Sequence, residues 1–126
     1  MKRTSILLIV LWATLLLPGA NDPLTVAESS GYEKTSLYAD VMSFLYQVQG
    51  ASVQVKVVPL AVSAEGRMVP LVVVSREGIA RPGELAACGK PAVLVMANIH
   101  AGEVEGKEAS LMLVRDLAQG RFPGLL

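Results

Sequence analysis

The chain has 126 residues, with 11 basic side chains against 11 acidic ones and a formal charge of zero. That length allows at most one small domain, and the balanced charge leaves no electrostatic footprint for nucleic acid. Sparse aromatics argue against a base-stacking surface, and a 52% apolar share excludes a charge-rich disordered chain. One cysteine, Cys88, rules out an internal disulfide and a cysteine-cluster metal site. One histidine, His100, rules out any site that needs two histidines from this chain.

Lys2 and Arg3 precede an uninterrupted apolar run from Ile6 to Leu17, followed by Pro18, Gly19 and Ala20. A basic start, about 7–15 apolar residues and a small-residue exit describe a secretory signal peptide. The run is too short for a span that needs about 20 residues. Residues 1–20 are therefore expected to be a signal peptide cleaved after Ala20, which makes the protein exported, periplasmic or extracellular. Pro18 sits where a small residue is preferred, so an uncleaved anchor is the one membrane association the sequence leaves open. Without Lys2 and Arg3 the formal charge is −2, too small to identify a partner. Cys88 has no histidine or basic neighbour to lower its pKa and reads as inert packing.

Residues 21–33 read as a polar, extended lead-in. From Thr35 to Val48, Leu37, Val41, Phe44, Leu45 and Val48 fall at helical spacing, with Thr35 or Ser36 as N-cap and Gly50 as the stop. Val53–Val57 alternates with period two, and Val69–Val74 is a second apolar strand. The turn between them, Ala64–Arg67, carries Gly66, which predicts an antiparallel hairpin. Pro59 and Pro70 suit a strand edge. Glu77–Lys90 reads as a loop turning at Pro82-Gly83. Pro91–Ala97 is a continuous apolar run, as expected of a central strand buried on both faces. A helix from Glu103 to Gln119 follows, with Val104, Leu111, Val114 and Ala118 on one face and Gly120 as its stop. The pattern predicts a layered α/β fold.

His100-x-x-Glu103, at the carboxyl end of that expected strand, is the one constellation that can carry chemistry. Open α/β sheets bind ligands at the carboxyl ends of their strands. Spacing by three brings an imidazole and a carboxylate together across one tight turn. Both groups ligate zinc at about 2.0–2.2 Å, and a catalytic zinc needs three protein ligands and an open position for water. The bland alternatives stand beside this. Glu103 can be a first-turn acid favoured by the helix dipole or an i,i+4 partner of Lys107. Glu105 and Glu108 can be further first-turn acids or solvated face charges, and His100 a satisfied core histidine.

The stretch from Ala97 to Ala109, Ala-Asn-Ile-His-Ala-Gly-Glu-Val-Glu-Gly-Lys-Glu-Ala, resembles the zinc-binding segment of carboxypeptidase A-type zinc metallopeptidases, the funnelins. Tyr32–Leu45 resembles that family's opening helix, and Ser63–Arg67 with the strand after it resembles its first hairpin. The resemblance runs from about Tyr32 to Gln119. It implies a partial three-layer α/β/α fold over residues 21–126, made of helix, antiparallel hairpin, central strand and helix, incomplete at its carboxyl end. It further implies one zinc ion with His100 and Glu103 as two of three ligands, and substrates that are the C-termini of peptides or proteins.

In that family a second histidine, arginine side chains that hold the substrate carboxylate and a general-base glutamate lie farther down the chain. No residue here matches them, and the general base is expected beyond Leu126. No substrate-binding residue is assigned. The expectation is an amino-terminal piece of a zinc carboxypeptidase, inactive alone. A same-fold zinc deacylase resembling aspartoacylase or succinylglutamate desuccinylase, and a non-catalytic exported binding module, are the alternatives.

Overall fold

The computed structural model describes residues 22–126; the expected signal peptide lies outside the described residues. Six elements follow in order: α1 (Val26–Ser29), α2 (Tyr38–Ala51), β1 (Val55–Val62), β2 (Met68–Val74), α3 (Pro82–Cys88) and α4 (Val104–Ala118). This is a mixed helix-and-strand chain whose described sheet is the antiparallel pair β1–β2.

The hairpin forms where alternation and turn chemistry agree. Val55 pairs with Val74 and Val57 with Val72, and the register slips by one residue at Leu60. Pro59 faces Pro70 across the ladder, two residues that lack a donor and therefore meet where none is required. The Ser63 N–H donates to the Arg67 carbonyl at 2.8 Å, and Gly66 adopts φ +75° to close the turn.

The core is small. Phe44, Leu45 and Val48 of α2 pack on Val55 of β1 and Leu111 of α4, with Val41, Val57, Val72, Val74, Val114 and Ala118 around them. The helical stripes read from the sequence place these residues correctly, but Leu37, expected in the first stripe, is 72% exposed at the N-cap of α2. Each fully buried aliphatic or aromatic side chain contributes about 1.5–3 kcal/mol.

Several expectations need correction. The lead-in is not extended throughout, because Thr25 caps the single turn of α1. Glu28 N–H donates to Thr25 Oγ1 at 3.2 Å, and Glu28 Oε2 accepts from the Thr25 N–H at 2.9 Å, a reciprocal capping box. Helix α2 starts later than expected, with Leu37 at the N-cap and Asp40 Oδ2 accepting its N–H at 2.8 Å. Thr35 and Ser36 are drawn away to α4. Gly50 lies inside α2 and does not stop it. Within the expected loop, Pro82 opens α3, where Glu84 Oε2 accepts from the N–H groups of Ala80 and Arg81 at 2.9 and 3.0 Å.

The expected central strand does not form. Residues 91–97 form no strand, and Val93, Leu94, Val95 and Met96 are 59–87% exposed. No backbone–backbone hydrogen bond ties these residues to the other described residues. A strand exists through its ladder, and β1 and β2 pair with each other and leave this run without a partner. Apolar composition marks a segment suited to a sheet but does not supply the neighbour.

Polar contacts join the amino-terminal segment to α4. Arg115, only 4% exposed, donates to Glu28 Oε2 at 2.7 Å and to the Pro23 carbonyl at 3.1 Å. Arg121 bridges Asp116 and Asp22 at 3.0 and 2.7 Å. Burial pushes the Glu28 carboxyl up, but hydrogen bonds from Arg115 and the Thr25 N–H hold it below the ordinary glutamate value.

Candidate metal-binding turn

The turn that carries His100 is built by its backbone. Asn98 adopts φ +58°, a left-handed conformation in which asparagine is enriched among non-glycine residues. The Glu103 N–H then donates to the His100 carbonyl at 3.0 Å, closing one tight turn before α4. Glu103 is the N-cap of that helix.

The turn brings the two side chains together. His100 Nδ1 lies 2.8 Å from Glu103 Oε1, and the His100 N–H donates to Glu103 Oε2 at 3.3 Å. An ionised carboxylate only accepts, so Nδ1 carries the shared proton in this contact. The bond from the His100 ring, then that from its backbone N–H, holds the Glu103 carboxyl below the ordinary glutamate range. Glu103 is thus charged at neutral pH, as a metal ligand must be. Both side chains are open to solvent, at 81% and 56% exposure.

This excludes a buried core histidine. The suggested Glu103–Lys107 pair is also absent among the described ion pairs, because Lys107 Nζ turns to the Ser36 carbonyl. Glu108 is not a solvated face charge: it is 6% exposed and bound to Thr35 and Ser36. Glu108 shares a helical stripe with Val104, Leu111 and Arg115, but its partners Thr35 and Ser36 lie too far along the chain for a local pattern to reveal them. Cys88 is half-buried, its Sγ 3.1 Å from the Leu85 carbonyl.

As a zinc site the pair fits in kind and in reach, and falls short in number. Two donors with bonds of about 2.0–2.2 Å in a tetrahedron stand a little over 3 Å apart. The observed 2.8 Å must open by roughly half an ångström or a little more to reach that, and two exposed side chains can move so far. Among the described residues no third histidine, cysteine, aspartate or glutamate joins them.

The turn and the elements around it lie in the stretch that matches a known family. The zinc carboxypeptidase family model matches residues 41–123, about two thirds of the chain. No curated protein and no solved structure gives a match.

Proposed function

Since this chain belongs to the zinc carboxypeptidase family, we propose that it supplies the metal-binding turn of an exported zinc metallocarboxypeptidase, with His100 and Glu103 as two of the three protein ligands. The observation that carries this reading is the 2.8 Å approach of His100 Nδ1 to Glu103 Oε1, with the ionised carboxylate already facing the ring. His100 Nδ1 and Glu103 Oε1 would hold a cation there, the ring nitrogen having given its proton to solvent. When bound, zinc supplies Lewis acidity and an acidified water for hydrolysis of a C-terminal peptide bond. The residues of this chain hold the ion: the backbone turn fixes the donors, and α4 fixes the turn.

The chain holds a single histidine. No residue in it matches the family's second histidine ligand, general base or carboxylate-gripping arginines, so on this reading His100 and Glu103 are part of a site and not the whole of it. The reading is accordingly of an amino-terminal portion, exported through residues 1–20. A catalytic zinc rests on three ligands and their supporting contacts, so two give weak binding and no turnover.

Calorimetric titration of the 126-residue chain with zinc tests this. The expected result is weak binding that His100→Ala and Glu103→Ala each abolish, with no release of C-terminal amino acids from peptides. Binding unchanged in His100→Ala overturns the ligand assignment. Chelator-sensitive release by this chain alone overturns the statement that its site is incomplete.

A further inference from the structure

The first turns of α4 carry Glu103 at their start, yet no buried apolar residue holds them. Val104 is half-buried, Glu105 and Gly106 are exposed, and the first buried apolar residue of the helix is Leu111. What fixes this end is polar. Glu108 Oε1 accepts from Thr35 Oγ1 at 2.7 Å and from the Ser36 N–H at 2.5 Å, while Oε2 accepts from Ser36 Oγ at 3.1 Å. Lys107 Nζ donates to the Ser36 carbonyl and stands 3.8 Å from Glu108 Oε1. Thr35 and Ser36 lead directly into α2, whose Phe44, Leu45 and Val48 form the core. The clamp therefore ties the His100–Glu103 end of α4 to the helix that supplies three of the five buried core residues.

A buried carboxylate is costly unless its lone pairs are met. If packing alone were needed at 108, an apolar side chain would serve without that cost. What the carboxylate adds is direction: three donors on two consecutive residues fix one height and one rotation of α4. A rigid helix carries that setting over the five residues back to Glu103.

We infer that Glu108, assisted by Lys107, is a positioning residue for the metal-binding turn, setting α4 against Thr35–Ser36 so that the Glu103 carboxylate meets His100. This rests on His100 and Glu103 being the metal donors.

Cobalt titration of the whole 126-residue chain, followed by its visible absorption, tests the inference beside circular dichroism and thermal midpoints. Glu108→Ala is expected to weaken cobalt binding about 10-fold, the lower end for groups that support a ligand from behind, at a temperature where the fold is intact. Glu108→Gln keeps the Oε1 acceptor and offers an N–H to Ser36 Oγ, so it is expected to bind almost as wild type does. If Glu108→Ala does not fold, Thr35→Val combined with Ser36→Ala strips two of the three donors and is expected to weaken binding in the same direction. Unchanged affinity in the folded variants, with only the thermal midpoint lowered, overturns the inference and leaves a clamp for the fold alone. Failure of Glu108→Gln to restore binding also overturns it. Cobalt binding insensitive to His100→Ala is a different failure, which removes the ligand assignment and this inference together.

Discussion

Two carboxylates that hold the fold together, the buried Glu108 and the half-buried Glu28, respond to acid. Burial pushes Glu28 and Glu108 up, but bonds from Arg115 and Thr25 at the first, and from Ser36 and Thr35 at the second, hold both below the ordinary glutamate value of 4.5. The folded chain therefore binds fewer protons than the unfolded one just below pH 4.5, and stability there rises with pH. The stabilisation is fully present above the unfolded value and is lost as pH falls through the depressed folded values. Urea midpoints are expected to be level from pH 7 to about 5.5 and to fall steadily below 4.5. A flat midpoint down to pH 3 would show that these contacts add nothing. Neither carboxylate's hydrogen-bonded setting was legible from its residue type. Glu103 and His100 were legible because three-residue spacing at a turn lets the two side chains converge. Glu108 needed its partners Thr35 and Ser36, more than seventy positions away, which no local pattern links to it.

At the scale of elements, local chemistry succeeded where a signal was self-contained. The hairpin needed only two alternating runs and Gly66, and α4 needed only its apolar stripe. Gly50 misled because a glycine stop assumes a left-handed residue, and this one stays helical near the end of α2. No atom lies within 4 Å of where its Cβ would stand, so a methyl group adds no clash and restricts the unfolded chain. Gly50→Ala is expected to stabilise the protein by about 0.5–1 kcal/mol, read as a raised urea midpoint with unchanged slope. A lowered midpoint would place that residue outside the helix. The run at 91–97 failed for the opposite reason, since a strand is a relation between segments. Its exposed Val93, Leu94, Val95 and Met96 leave an apolar edge of the kind that invites pairing between chains.

For the whole molecule, the placement of order follows from the placement of the core. Phe44, Leu45, Val48, Val55 and Leu111 join α2, the hairpin and the middle of α4. The contacts of Glu28 and Glu108 add residues 25–36 to the same unit. Nothing buried lies between residues 76 and 103, so that stretch, with the short α3, is joined to the unit without sharing its stability. Amides open with free energies from near zero up to the global value, in blocks that follow buried contacts. Hydrogen exchange is therefore expected to show strong protection at residues 42–48, in the paired positions of β1 and β2 and at 111–118. Residues 91–100 are expected to exchange near the rate of an unfolded chain. Saturating zinc is expected to slow exchange at 100–104 first, because the turn gains a ligand while 91–97 gains no strand partner. Protection at 91–97 equal to that of β1, without metal, would mean that the run pairs as a strand after all. His100 would then stand at a strand end and not after an open segment. The His100–Glu103 turn is held from α4 alone only if 91–97 is open, and exchange at that one run decides it.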